Sequence, residues 1–182
     1  MAELGIEELL AVGYRGRREH RPADARQSFA AAVEASREAG NPRLLAVSLA
    51  GLGQIERDLG NPVSAAQHYR ESLALLRSED DPQALAHTVR HLGDILRHLG
   101  ATDESAACYR EALGVYRLWA DAAPLDLANT LRGYALLKGA LGEREEAIQM
   151  WREAGALYAS VGVEAGVSES KAQIERLSAG DD

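Results

Sequence analysis

The chain has 182 residues, 46% of them hydrophobic, 26% charged and only 5% aromatic, and a formal net charge of −8. That length and balance describe one soluble domain with a real core, and the apolar content is mostly Ala and Leu, which favours an all-α fold. The negative charge argues against general nucleic-acid binding or an anionic membrane surface as partner, and no apolar run approaches a membrane span.

Near the N-terminus, Glu3, Glu7 and Glu8 stand where a secretory signal needs positive charge, so the expected location is cytoplasmic. Cys108 is the only cysteine, which rules out an intrachain disulfide and suits a small apolar packing role.

Taken in order, helical spacing of apolar residues and turn punctuation predict helices over 3–18, 22–39, 43–59, 62–77, 82–99, 102–119, 124–141 and 143–159. Gly40-Asn41-Pro42 ends one helix and opens the next, since Gly accepts the left-handed conformation and Pro fits the first helical position. Gly60-Asn61-Pro62 repeats the device, with Asn61 as the expected cap. Asp80-Asp81-Pro82 and Ala123-Pro124 open later helices. A final segment carries Val167, Ile174 and Leu177 on one side and Glu169, Lys171, Glu175 and Arg176 on the other. It is expected to be a capping helix over about 165–178 that shields the last hairpin, with 178–182 frayed.

The helices are copies of one unit. Residues 46–73 and 86–113 align at a spacing of 40, matching Gly53 with Gly93, Leu59-Gly60 with Leu99-Gly100, and Tyr69-Arg70-Glu71 with Tyr109-Arg110-Glu111. A further copy lies 42 residues on, with Leu141-Gly142 and Trp151-Arg152-Glu153, and a worn one precedes them with Gly13, Ala25, Phe29 and Ala32. The expected units are 2–40, 43–80, 82–122 and 124–161 in one array over 1–182. Periods of this length mark stacked arrays in which each unit relies on its neighbours for a core. Gly53 and Gly93 lie inside helices, where each costs about 1 kcal/mol relative to Ala. The repeated cost implies close helix approach, with one large core ring per unit: Phe29, Tyr69, Tyr109 and Trp151.

This pattern resembles the tetratricopeptide repeat (TPR). The match is a small residue in each first helix (Gly13, Gly53, Gly93, Ala135), a turn glycine (Gly60, Gly100, Gly142), then small, aromatic and small residues. Ala65, Tyr69 and Ser72 carry that last element, as do Ser105, Tyr109 and Ala112, and Ala147, Trp151 and Ala154. The period exceeds the family's usual 34 or so, and so is similar to the longer variety of kinesin light chains and many bacterial regulatory proteins. The resemblance implies a right-handed superhelical solenoid of four hairpins plus the capping helix. First helices would line a concave groove and second helices form the convex back of a non-catalytic protein-binding scaffold.

Carried over by register, the groove positions are Glu7, Leu10, Tyr14, Arg17 and Arg18 in the first unit, and Val47, Ala50, Gln54, Arg57 and Asp58 in the second. The third gives His87, Arg90, Asp94, Arg97 and His98, and the fourth Asn129, Arg132, Leu136, Gly139 and Ala140. A Lys/Asn/Arg clamp on a terminal carboxylate is not expected. Its places hold Leu10, Tyr14 and Gly51, or in a later window Ala50, Gln54 and Gly133. First helices carry nine basic residues (Arg15, Arg17, Arg18, Arg43, Arg57, Arg90, Arg97, Arg132, Lys138) against seven acidic ones (Glu3, Glu7, Glu8, Glu56, Asp58, Asp94, Asp126). Second helices and their turns are strongly acidic. The expectation is a mildly basic groove that selects an acidic or phosphorylated segment, with an ordinary solvated face as the alternative. Charge reversal at Arg90 and Arg97 should abolish such binding.

Other constellations offer less. His87, His91, Asp94 and His98 share one helix face, but their ends are about 16 Å apart at 1.5 Å per residue, so they cannot converge on one ion. Only His87 with His91, or Asp94 with His98, could share a metal, and a neighbouring helix would have to complete the shell. The stripe reads as a solvated or packed face, with a pH-sensitive or ligand-contacting role as the alternative. Gly51-Leu52-Gly53 lacks the third glycine and the preceding strand of a dinucleotide fingerprint, so no cofactor is expected. Tyr14 with Arg15, Arg17, Arg18 and Arg21 could grip nucleic acid, against the overall charge. Glu145 and Glu146 suit the positive end of a helix dipole. No nucleophile, base and orienter share a recognisable spacing, so catalysis is not expected. The competing reading is a homo-oligomeric assembly protein that uses its convex or terminal surface.

Overall fold

A computed structural model describes residues 4–119 and 121–179. Within them lie nine α-helices: α1 (Ile6–Arg18), α2 (Pro22–Glu38), α3 (Pro42–Asp58), α4 (Pro62–Leu76), α5 (Pro82–His98), α6 (Thr102–Leu118), α7 (Pro124–Ala140), α8 (Arg144–Ser160) and α9 (Glu164–Ala179). The fold is all-α, and the helix limits fall within about a residue of the spans expected from turn chemistry, the first start excepted. The expected start at Glu3 and the frayed 180–182 lie outside the described residues. Fraying does not begin at Ser178, because α9 runs through Ala179.

The turns follow from backbone sterics. Gly40, Gly60, Gly100, Gly142 and Gly162 all sit at φ between 59° and 80°, where a Cβ would be strained. The α1–α2 turn puts His20 in that region instead, at φ 55°. Asn41 caps α3 through Leu44 N–H at 3.0 Å, and Asp81 caps α5 through Ala84 N–H at 2.9 Å. Asn61 does not cap α4. Its amide donates instead to Glu56 Oε2 at 2.8 Å, because Glu56 is buried and needs donors. Arg26 supplies another at 2.5 Å.

The chain divides into two compact units, Met1–Ile95 and Leu96–Asp182. In the first, α1 pairs with α2 and α3 with α4, while α2 packs on α3. Leu10, Phe29, Val33, Leu49, Leu52 and Ile55 form its core. The helical glycines explain the close packing. A Cβ at Gly13 would lie 2.8 Å from the Phe29 ring, one at Gly51 2.5 Å from the same ring, and one at Gly53 3.0 Å from Tyr69. Phe29 is therefore clasped by two helices, α1 within its own hairpin and α3 of the next. Gly51, to which the repeat register gives no packing role, is the closer of the two glycines to that ring.

In the second unit α6 packs on α7, α7 pairs with α8, and α9 packs on α8. Tyr109, Leu113, Leu131, Tyr134, Leu137 and Tyr158 form one cluster. Trp151, Ala135, Ala147 and Leu177 form another. Val167 and Ile174 pack against these cores and Leu177 belongs to one of them, so α9 covers the last hairpin as expected. Gly166 admits it, since a Cβ there would lie 2.4 Å from Tyr158. All four expected core rings are buried to 1% exposure or less. Cys108 is half-buried. Exposed pairs link second helices within each unit, Arg37 with Glu71 at 2.7 Å and Arg117 with Glu153 at 3.0 Å. Each contributes at most about 1 kcal/mol.

Candidate functional site

The first helices of the first unit carry the richest polar arrangement. A cleft of about 420 Å³ runs between α3 and α5, lined by Tyr14, Val47, Ala50, Gln54, Ala84 and His87, among others. Tyr14, Val47, Ala50, Gln54 and His87 all occupy positions that the repeat register assigns to the groove. Tyr14 is held there by its edge-on contact with Phe29, at 5.0 Å between centroids, and its burial raises the phenol's pKa. Asp81 also lines the cleft, with one carboxylate oxygen committed to capping α5.

Beside the cleft the charged groove residues form one connected network. Arg17 Nε donates to Asp58 at 2.6 Å, and Arg57 reaches the same carboxylate at 2.9 Å. Burial alone would raise the Asp58 pKa, but the hydrogen bonds from Arg17 and Arg57 hold it below the usual range. Arg57 Nη1 lies 3.2 Å from His91 Nδ1. Arg90 Nη2 lies 2.9 Å from His91 Nε2, and Arg90 Nη1 donates to Asp94 at 3.3 Å. Glu56 counts as acidic in a tally of first helices, yet its carboxylate faces Arg26 and Asn61. Three guanidinium groups thus meet two carboxylates, and the network is locally basic. Arg18 is exposed and lines a neighbouring cleft with Arg17, His20 and Asp58.

Two features depart from the sequence reading. Arg90, expected to face the groove, is only 9% exposed. Its charge reversal would bury a carboxylate against Asp94, so that substitution tests folding rather than binding. His91, assigned no groove role by register, is buried at the centre of the network and stacks on Tyr69 at 5.8 Å. A signal for it exists in the sequence: His91 stands two residues before Gly93, as Gly51 stands two before Gly53. At Gly51 the ring of the preceding hairpin packs on α3, and Tyr69 meets His91 in the same way. Burial, followed by the charge of Arg90 and the proximity of His87 and Arg57, pushes the His91 pKa well down.

The histidine stripe is split by its surroundings. His87 and His91 bring their Nε2 atoms within 3.1 Å, but among the described residues no three His, Cys, Asp or Glu side chains are placed to hold one metal ion. In the second unit, Arg97 is half-buried and His98 exposed. Arg132 is engaged by Glu169 of α9 at 2.7 and 2.8 Å. Asn129 accepts a hydrogen bond from Tyr158 at 2.9 Å. Both residues therefore serve the packing of α7 against α8 and α9. Glu146 in the first turn of α8 pairs with Lys138 at 2.9 Å, and Glu143 bonds the same ammonium.

Residues 10–78 match the tetratricopeptide repeat family model. Over that stretch the chain carries tetratricopeptide repeats. Beyond residue 78 the internal repeat continues, and solved structures share the fold. BtubC (BKLC) from P. vanneervenii is similar with a TM-score of 0.73 at 17% identity, covering 97% of this chain and 82% of that one. A MamA protein has a TM-score of 0.63 at 14% identity, over 94% and 91% of the two chains. A signal transduction ATPase with numerous domains (STAND), with a TPR sensor, from Pyrococcus horikoshii reaches 0.77 at 17% identity. The match covers 93% of this chain and 26% of that protein. Among curated proteins none matches the sequence. No helix among the described residues is long and apolar enough to cross a membrane.

Proposed function

We propose that this TPR protein is a peptide-binding module whose working surface in the first unit is the α3–α5 cleft and the arginine network beside it. The fold itself supports a protein-interaction scaffold. The finer reading rests on one observation. The register positions Tyr14, Val47, Ala50, Gln54 and His87 surround an open, largely apolar cleft, next to three arginines that share two carboxylates. An apolar side chain of a partner segment fills the cleft while an acidic neighbour engages the guanidinium groups. No catalytic role is assigned to these residues.

The test is selection of binding peptides from a random displayed library, followed by affinity measurement on the wild type and on Ala50→Glu, which places a carboxylate in the cleft wall. Acidic peptides with an apolar anchor should be enriched, weaken as salt rises, and lose at least about tenfold in affinity to the variant, the effect of roughly 1.4 kcal/mol. Peptides without acidic bias, or bound equally by Ala50→Glu, would move the working surface elsewhere on the protein.

A further inference from the structure

The arginine network places more donors around His91 than the imidazole can accept, and the carboxylate oxygen beside it, Asp94 Oδ2, is 4.0 Å from Nδ1, beyond hydrogen-bond reach. A neutral imidazole offers one N–H and one acceptor nitrogen, while a guanidinium only donates. His91 has Arg57 at its Nδ1, 3.2 Å away, and Arg90 at its Nε2, 2.9 Å away. If Nδ1 accepts from Arg57, the Nε2 proton can go to His87 at 3.1 Å, but it also confronts the Arg90 N–H. If Nε2 accepts from Arg90, the Nδ1 proton confronts Arg57. Neither tautomer satisfies both arginines. Protonating His91 makes both nitrogens donors and adds a further positive charge between two guanidinium groups, which its buried position opposes.

Two further observations point the same way. Arg90 is nine-tenths buried, and its Nε is enclosed with no hydrogen-bond partner. A buried, unpaired donor on a cation costs well over the ordinary hydrogen-bond increment. The network of Arg17, Arg57 and Arg90 with Asp58 and Asp94 is also one carboxylate short of neutrality.

Resting on the groove reading above, we infer that the Arg57–His91–Arg90 cluster is an oxyanion site that takes the phosphoryl group of a phosphorylated partner side chain. Such a group is an acceptor with three oxygens and a charge near −1.5 to −2 at neutral pH, whereas a carboxylate brings two oxygens and one charge. The surplus donors number more than one, and the guanidinium plane suits phosphate oxygens. Access is from the side of Arg57, whose side chain is 31% exposed, and of His87, which lines the cleft. Arg57 makes the first contact, Arg90 supplies the enclosed donors, and His91 takes the tautomer that leaves its N–H toward an acceptor. The same segment would then place a neighbouring apolar side chain in the cleft.

The experiment uses the full chain at pH 7.5 and constant ionic strength, titrated with inorganic phosphate and separately with acetate. The readout is the ¹H–¹⁵N imidazole resonances of His87 and His91. Phosphate should shift both saturably, at about tenfold lower concentration than acetate, the margin of one further charge-assisted hydrogen bond. The response should vanish in Arg57→Gln, a half-exposed position whose folding is checked by circular dichroism, and in Arg90→Gln if that variant folds. No saturable shift with phosphate, an equal response to acetate, or a response that survives Arg57→Gln overturns the proposal. Peptide binding and ion binding also fail separately. Peptides that bind while phosphate leaves the imidazoles unmoved refute the oxyanion site and leave the groove reading intact. Phosphate binding without any peptide ligand refutes the groove reading alone.

Discussion

Replacing Gly51 by alanine sets helix propensity against packing. Gly51 lies inside α3, where alanine is favoured by about 1 kcal/mol on propensity alone. The new Cβ would stand 2.5 Å from Phe29 Cε1 and 2.6 Å from Cδ1, roughly 1 Å inside ordinary carbon contact. The ring has little room to retreat. The α1 backbone at Gly13 approaches it so closely that a Cβ there would lie 2.8 Å from Cε1, Tyr14 meets it edge-on, and Phe29 is fully buried. Either α3 moves off α2 or the ring leaves its rotamer, and overpacking of this kind costs about 1–3 kcal/mol. The net expectation is no gain and a loss of up to about 2 kcal/mol, or a Tm lowered by up to about 8 °C for a chain of this length. Gly114→Ala is the matched control. It lies inside α6, where a Cβ meets nothing within 4 Å, so propensity should act alone and add about 1 kcal/mol. Both variants are compared by thermal and urea unfolding followed by circular dichroism. Adding Phe29→Leu to Gly51→Ala should recover stability beyond additivity by at least about 0.5 kcal/mol. If Gly51→Ala is stabilising to the same degree as Gly114→Ala, the clasped-ring account of the α2–α3 contact is wrong.

His20→Gly should stabilise the protein by up to about 1 kcal/mol, because a side chain at φ 55° is strained and every other such position among the described residues holds glycine; an unchanged urea midpoint would show that the turn is not strained. Tyr69→Phe should leave stability unchanged or raise it by up to about 1 kcal/mol, since the hydroxyl is buried without a hydrogen-bond partner. A loss larger than that would mean the hydroxyl is bonded. Acid should destabilise the fold in two stages. The depressed His91 pKa means that the unfolded chain takes up a proton from the ordinary value of 6.5 downward while the folded protein resists it. His91 therefore contributes stability above about pH 6.5 that falls away below it, at a limiting slope of about 1.4 kcal/mol per pH unit for one proton. Glu56 and Asp58, also depressed in the fold, withdraw their share as pH drops below about 4.5 and about 3.8 respectively, toward their folded values. Urea midpoints at pH 8, 7, 6 and 5 should fall below 6.5 in the wild type and fall less steeply in His91→Gln; equal slopes would exclude His91 as the buried titrating group.

Much of this was legible in the chain. Turn glycines at Gly40, Gly60, Gly100, Gly142 and Gly162, with Pro at several first helical positions, mark helix ends because few other residues meet those backbone demands. The spacing of Phe29, Tyr69, Tyr109 and Trp151 identified the buried rings, since a side chain repeated at the period of the array faces the same way in each unit. The register also placed Tyr14, Val47, Ala50, Gln54 and His87, which line one cleft. Individual polar side chains were not legible in this way. Asn61 looks identical to Asn41 in its local sequence, yet one caps a helix and the other serves Glu56, and only the burial of Glu56 tells them apart.

The sequence by itself determined the helices, their pairing and the ring packing, because backbone punctuation and a 40-residue period act locally and repeat. Tertiary structure decided which charges matter. Arg132 and Asn129 share the groove register with Arg57 and Gln54, but α8 and α9 supply Tyr158 and Glu169 to bond them. Arg90 and His91 follow each other in the chain like any polar pair, and become a donor-rich cluster only where α3 brings Arg57 to the far side of the imidazole. Hydrogen-bond supply and demand depend on neighbours distant in sequence, which no period within one helix records.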